Sequence, residues 1–377
     1  MAAQEPEWWN DLQIHGFLSQ GYVDSSDNSF YGDSEQGSFD FREIGLNASF
    51  RFSPRWLVSA QLLSRKAGEM SEGGLNLDYG LVDLTVLSDE YRRVGLVAGR
   101  FKNPIGLYND TRDVPFTRPS VFLPQSVYWD KLRDIMLSND GAQLYGEFYR
   151  GRHGLSLQLG VGNPPIDDNL EWAYLGYDWP GSVESDSPGF VGRALYELDD
   201  GRLRLALSGI TTTMAYRPAE VDPLVAGSID IDYFVGSFQY NGENWSLTAE
   251  YMQEPVRWSG FEDVVRDRRN TADGAYLQGT YRPLPDWELL LRYDAAFHDK
   301  TDRDGERQGD EKGLPAHLFY SHTWTFGLTW SPNEHIMLRG QYDRVDGTAF
   351  LSNEENPNPF ATVRNWYMFS LLLSVGF

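Results

Sequence analysis

No cysteine occurs among the 377 residues, which removes disulfide frameworks, thiolate metal sites and cysteine nucleophiles from consideration. Long apolar runs are missing too. Mean hydropathy is -0.47, and no stretch approaches the roughly 20 apolar residues that a helix needs to cross a bilayer, so a helical membrane protein is excluded. Basic residues are scarce: 32 Lys and Arg against 55 Asp and Glu leave a formal net charge of -23. A binder of phosphate backbones draws its affinity from clustered cations, so nucleic acid is not expected as a partner. The chain also lacks a His-Glu-x-x-His zinc motif, a Gly-x-Ser-x-Gly elbow and a phosphate-cradling glycine loop. No enzyme, metal or cofactor is implied.

What is abundant is aromatic and glycine: 14% aromatics, with 21 Tyr, 21 Phe, 12 Trp and 37 Gly. Disorder for want of apolar material does not fit that composition. No Pro/Ser-rich or low-complexity linker divides the chain, so one domain is expected. Along it, apolar residues alternate at period two in segment after segment, the strand signature, while helical periodicity is nearly absent. Ile44, Leu46, Ala48, Phe50 and Phe52 alternate with Gly45, Asn47, Ser49 and Arg51; Trp245, Leu247, Ala249 and Tyr251 alternate with Ser246, Thr248 and Glu250; Trp287, Leu289, Leu291 and Tyr293 alternate with Glu288, Leu290, Arg292 and Asp294.

The connections alternate between short and long. Short ones fall near Ser53-Pro54, Ser88-Asp89, Gly151-Arg152, Asp199-Asp200-Gly201, Asn241-Gly242, Pro283 to Asp286 and Ser331 to Asn333, and long ones near 24–38, 67–74, 103–139, 163–188, 214–229, 255–273, 299–316 and 346–363. Counting between them gives about sixteen strands, an even number that leaves both termini on one side. Trp56, Trp245, Trp287 and Trp330 stand at strand ends beside short turns, where interfacial aromatics belong. The last segment alternates Tyr367, Phe369, Leu371, Leu373, Val375 and Phe377 with Met368, Ser370, Leu372, Ser374 and Gly376, and the chain ends on phenylalanine.

These features predict an all-β fold: a transmembrane antiparallel up-and-down barrel of about 16 strands, with short periplasmic turns and long extracellular loops. Residues 12–377 form the barrel in this reading, and 1–11 a short periplasmic extension. Met1-Ala2-Ala3-Gln4-Glu5-Pro6 reads as a mature N-terminus with a start methionine added, its signal peptide removed; a cytoplasmic protein is the competing explanation.

The closing strand with its terminal aromatic resembles bacterial outer-membrane barrels, and the architecture as a whole resembles porins. The segment GRFKNPIGLYN, Gly99 to Asn109, is similar to the strand-to-loop junction of the porin O and P group, whose best known members are phosphate and polyphosphate selective. The resemblance implies a passive diffusion channel, a homotrimer embedded in outer-membrane lipid and lipopolysaccharide, whose third long loop folds into the lumen. That family's lysine-rich phosphate track is not evident. Across the inward positions Arg193, Arg204, Arg282, Arg292 and Arg339 are accompanied by Glu147, Glu197, Glu250, Asp294 and Asp343.

The longest connection, 103–139, is the third long loop. It carries Arg112, Arg118, Lys131 and Arg133 beside Asp110, Asp113, Asp130 and Asp134, a mixture suited to a constriction that filters small hydrophilic, charged solutes by size and field. The blander account makes these charges a solvated lid, and makes Arg292 with Asp294 and Arg339 with Asp343 structural pairs on one inner face. The acidic run Asp299 to Gly305, followed by Asp310-Glu311, fits a solvated loop better than a helix-loop-helix calcium site. Two other functions stay open: a non-conducting structural or partner-binding barrel, and an outer-membrane hydrolase. For the latter, His322 beside Ser321 is a poor candidate, because adjacent strand residues point to opposite faces.

Overall fold

A computed structural model describes residues 12–167, 169–262 and 265–377; the expected extension 1–11 lies outside the described residues. Sixteen strands run in chain order: β1 Leu12–Ser25, β2 Ser38–Ser53, β3 Trp56–Ala67, β4 Glu72–Ser88, β5 Arg92–Lys102, β6 Ser138–Arg150, β7 His153–Asn163, β8 Ser182–Leu198, β9 Leu203–Arg217, β10 Gly227–Asn241, β11 Trp245–Ser259, β12 Arg268–Leu284, β13 Trp287–Phe297, β14 Tyr320–Asn333, β15 Ile336–Gly347 and β16 Asn365–Gly376. Each pairs antiparallel with its sequence neighbours, and β1 pairs with β16, so the sheet is a closed barrel. Closure leaves no strand edge with unpaired amides, which a bilayer interior would penalise heavily.

No helix among the described residues is long and apolar enough to cross a membrane. The strands carry that role. On β16, Tyr367, Phe369, Leu371 and Leu373 are exposed on the outer face, while Met368, Ser370, Leu372 and Ser374 are buried on the inner one. The same split holds for Ile44 and Leu46 against Glu43, and for Leu289 and Leu291 against Leu290 and Arg292. Outside an interior that mixes buried charges with a buried apolar cluster, an outer surface of exposed Leu, Val and Phe is stable against lipid tails and not against water.

Seven tight connections lie at one end of the barrel and eight others at the opposite end. At the short-turn end Trp287 and Trp330 are cross-strand partners with rings stacked at 5.9 Å, and Trp56 stacks on Phe52 at 6.2 Å. The barrel is sealed at its last residue: the Phe377 amide donates to the Gly16 carbonyl at 3.0 Å, and the Gly16 amide returns a bond at 3.2 Å. A side chain at Gly16 would meet the Phe377 ring at 2.6 Å, so the missing Cβ is what seats the terminal aromatic.

The strands overrun several of the expected long loops. β8 starts at Ser182, β9 continues to Arg217, β11 to Ser259, and β12 starts at Arg268. These extensions stand beyond the apolar belt, where the pattern inverts: Val183, Met214, Tyr216, Val256 and Trp258 pack inward in a buried apolar cluster, while Glu184, Arg217 and Arg257 face out. The loops also contain helices that no periodicity announced: α1 Arg133–Leu137, α2 Asn169–Leu175 and α3 Glu306–Lys312.

Candidate functional site

β5 ends at Lys102, and Pro104, lacking an amide hydrogen, helps stop the ladder there. The 35 residues up to β6 leave the wall with their base tied. The Asn103 amide donates to the Leu137 carbonyl at 3.0 Å, and the buried Asn109 side-chain amide donates to the carbonyls of Asn103 at 3.0 Å and Met136 at 2.7 Å. Residues of the Gly99–Asn109 segment thus staple the start of the loop to its end. The span between is folded as short 3₁₀ turns at 109–111, 115–117 and 130–132.

This loop lies inside the barrel. Its backbone and side chains bond to inner-wall groups on strands far from β5 and β6: the Gly106 amide to Ser208 Oγ of β9 at 2.8 Å, Tyr128 Oη to Glu250 of β11 at 2.5 Å, the Val127 carbonyl to Tyr233 Oη of β10 at 2.5 Å, and the Phe122 amide to Gln341 of β15 at 3.2 Å. Burial first, then the Glu250 charge, pushes the Tyr128 phenol well up, so the hydroxyl keeps its proton and donates it to the carboxylate. Gly274 of β12 sits directly under the Ser126 carbonyl, where a Cβ would overlap it.

The loop's charges meet in one cluster against β2 and β3. Arg118 forks onto Glu43 with bonds of 2.9 and 2.5 Å. Asp130 accepts from Arg112 at 3.1 Å and from Arg65 of β3 at 2.6 Å, and from the Tyr31 hydroxyl. Asp113 pairs with Arg133 and Lys102, and Lys102 also with Asp78. Burial alone would raise the Asp130 carboxyl, but Arg65 and Arg112 outweigh it and hold it below the usual range. Asp110 is held apart from the cluster by Arg193 of β8 at 2.8 Å. Among the described residues, Asp134 and Lys131 have no oppositely charged partner within 4.0 Å; Lys131 instead donates to the Ala349 carbonyl at 2.7 Å.

The expected wall residues divide by height. Arg292 bonds Asp294 at 3.4 Å and Ser120 of the loop at 2.9 Å. Arg339 does not pair with Asp343: it donates to the Pro115 and Ser120 carbonyls, each at 3.2 Å, while Asp343 accepts from Thr325 and from Gln341, which lies between them on the strand. Glu250 is buried beneath the loop. Arg204 with Glu197 at 3.0 Å, and Arg282 with Glu288 at 3.9 Å, lie towards the short turns, as does the partly buried Glu147 on β6. Glu43, Arg65, Lys102, Asp78, Tyr31 and Tyr128 were not among the expected site residues. Period two could have found Glu43, which alternates with Ile44 and faces Arg65 across the ladder.

Cavities stand on both sides of the loop. At the long-loop end one of about 620 Å3 reaches down to Lys131; at the short-turn end one of about 390 Å3 is lined by Arg118, Arg282, Glu288 and Arg339. At the cluster itself, a gap of about 20 Å3 is lined by Arg65, Arg112, Arg118, Arg133 and Asp130, room for about one water. The barrel interior is thus two vestibules with a charged partition between them.

Two other expectations find their places. Asp299 pairs with Arg307 at 2.6 Å, and Asp302 accepts from the amides of Arg307 and Gln308, so these acids shape the turn into α3. No group of three or more metal-ligating side chains is assembled among the described residues. Ser321 is buried on the inner face, while the His322 ring bonds the Tyr293 hydroxyl at 2.9 Å on the outer one.

No model of a known protein family matches the sequence, and no curated protein matches it. Among solved structures the chain is similar to the outer membrane channel DcaP of Acinetobacter baumannii, with a TM-score of 0.60 at 12% identity over 97% of either chain. It is similar to an anion-selective porin from Comamonas acidovorans, with a TM-score of 0.59 at 13% identity over 97% of this chain and 99% of that one. OmpT of Vibrio cholerae gives a TM-score of 0.59 at 10% identity over 97% of either chain. At such identities the likeness is one of fold: a sixteen-stranded barrel of the outer-membrane porin type.

Proposed function

We propose that this protein is an outer-membrane channel for passive diffusion of small hydrophilic, charged solutes, and that residues 103–137 are its constriction. The observation that carries the reading is the charged partition between two vestibules, where the wall and the loop bring buried ionic groups together. A solute at a narrow, weakly hydrated point exchanges part of its water for fixed charges, so the local field and radius select it. Among the ion-paired groups of the partition, Arg65, Lys102, Arg112, Arg118 and Arg133 outnumber Glu43, Asp78, Asp113 and Asp130, which tilts the paired cluster towards anions in spite of the acidic chain as a whole. The apolar outer belt and the Trp pairs support residence in a bilayer, with lipid and lipopolysaccharide as surroundings. A homotrimer is supported by one neighbour of this fold, an OmpT of Vibrio cholerae described in a trimer form. The finer likeness to the porin O and P group rests on Gly99–Asn109, here a loop staple, and gives no lysine track.

The gap of about 20 Å3 favours a second reading, a barrel that is closed until the loop shifts or that conducts nothing. Planar-bilayer recording of the refolded barrel separates the two. Stepwise ohmic currents support the channel; folded barrel that inserts without conductance supports the closed one.

A further inference from the structure

The vestibule that reaches down to Lys131 differs in chemistry from the larger cavity of about 870 Å3 beside it, which is lined by Asp33, Glu69, Glu72 and Glu355. The vestibule itself, of about 620 Å3, is lined by no Asp or Glu among the described residues, in a chain with 55 of them. A smaller cavity of about 270 Å3 shares Lys131, Arg268, His298 and Lys312 with it. Three of these are cations, and among the described residues none has a carboxylate within 4.0 Å. Each lies against an aromatic ring instead: Lys131 over Trp129 at 4.7 Å, Arg268 over Trp258 at 4.3 Å, and Lys312 over Phe319 at 4.9 Å. Arg268 and Lys312, held by ring faces, keep donors free for a ligand at a site already partly dehydrated, and Lys131, which already donates to the Ala349 carbonyl at 2.7 Å, adds its charge.

Rings supply the rest of the lining. In the loop between β7 and β8, Trp172, Tyr177 and Trp179 form a contiguous aromatic wall, with centroids 5.7 and 5.5 Å apart. The indole Nε1 donors of Trp129 and Trp179 nearby have no acceptor among the described residues. Of the carboxylates in the smaller cavity, Asp299 is engaged by Arg307 at 2.6 Å and Glu254 by the Tyr174 hydroxyl at 2.5 Å, while Glu311 is exposed on α3 beside Lys312. Free donors, unpaired cations and ring faces together ask for an acceptor-rich anion on a flat apolar body. The volume lies within the ~300–1,000 Å3 usual for small-molecule sites.

We infer that this vestibule is a binding site for aromatic carboxylates, placed so that a bound anion rests on Lys131 at the upper face of the constriction. The inference rests on the channel reading for its meaning as a substrate class, but the site stands on its own geometry. Binding would hold the solute above Arg112, Arg133 and Asp130 before it passes, and would raise its local concentration at the gap.

The test is titration of the refolded, detergent-solubilised protein with benzoate, benzyl alcohol and glucuronate, read by tryptophan fluorescence and calorimetry, beside bilayer conductance of the same preparation. Saturable binding of benzoate, with benzyl alcohol and glucuronate each at least ~10-fold weaker, is expected. Loss of ~10-fold or more in affinity is expected for the Arg268→Gln, Lys312→Gln double variant, with folding checked by heat-modifiable electrophoretic mobility. No saturable benzoate binding to the wild-type barrel, or equal binding of either comparison ligand, overturns the site. Binding without conductance keeps the site and overturns the channel reading, whereas conductance without binding does the reverse.

Discussion

Arg118, near the middle of the inner loop, reaches Glu43 on β2 through two parallel bonds of 2.9 and 2.5 Å, and both side chains are buried. The pair spans 75 positions of sequence and fixes the loop against the wall opposite its wide vestibule. A bidentate guanidinium–carboxylate pair of this kind is geometrically specific. Once removed from water, it is costly to break from one side.

Glu43→Gln leaves Arg118 and Arg65 facing a neutral amide. An uncompensated buried charge of this sort costs about 3–5 kcal/mol. The expected outcome is a barrel of lower urea midpoint, or an intact barrel with its loop released and a larger conductance. Unchanged stability together with unchanged conductance would show that the pair holds nothing in place.

Gly274→Val tests the loop's seat from the opposite wall. A Cβ there overlaps the Ser126 carbonyl, so the loop must move, whereas a Cβ at Gly236 meets only Leu207 Cδ2 at an ordinary 3.7 Å on the outer face. Altered single-channel conductance is expected for Gly274→Val and none for Gly236→Val. Equal conductance of the two variants contradicts the placement of the loop.

Deleting Phe377 removes two backbone bonds to Gly16 and the ring seated over it. Two net hydrogen bonds contribute about 2 kcal/mol, and the loss falls on the seam that closes the barrel. A smaller fraction folded into lipid vesicles is expected, measured by electrophoretic mobility with and without heating. Wild-type yield would remove the terminal residue from the account of closure.

The vestibule site titrates through Lys131. Burial pushes its amine down to about 8, although Glu254 nearby works in the other direction. Burial first, then Lys131 and Lys312, holds the His298 imidazole well below its usual value, so it stays neutral. Arg268, Lys312, Arg307, Asp299 and Glu311 also line the shared cavities. With the amine charged below about 8 and neutral above it, benzoate affinity should fall between pH 7 and 9, and Lys131→Arg should flatten that fall. A flat profile in the wild type removes Lys131 from the site.

The fold was legible because lipid enforces period two: every outward residue from Leu289 to Tyr293, and from Tyr367 to Phe377, must be apolar for the strand to cross. Where strands rise past the bilayer, as at 182–188 and 255–259, apolar Val183, Val256 and Trp258 turn inward and polar residues face out, and strand looked like loop. The charges of the inner loop could be named from their spacing, but not their partners. Glu43 and Arg65 face each other across the β2–β3 ladder and were within reach of the pattern, but only the folded loop brings residues 118 and 130 to them. The aromatic vestibule was unreadable for the same reason, since its lining comes from loops hundreds of residues apart. Arg339 was misassigned to Asp343 because i and i+4 share a strand face; face alone does not set distance, and Gln341 takes the place between them.

The most direct test of the account is the reversal potential of single channels under a salt gradient, recorded for the wild-type barrel and for Arg118→Gln. Stepwise ohmic conductance with a reversal potential on the anion side, shifted towards cations in the variant, is the expected result. A folded, membrane-inserted wild-type barrel without conductance, or a selectivity that ignores Arg118, would contradict passage past the inner loop.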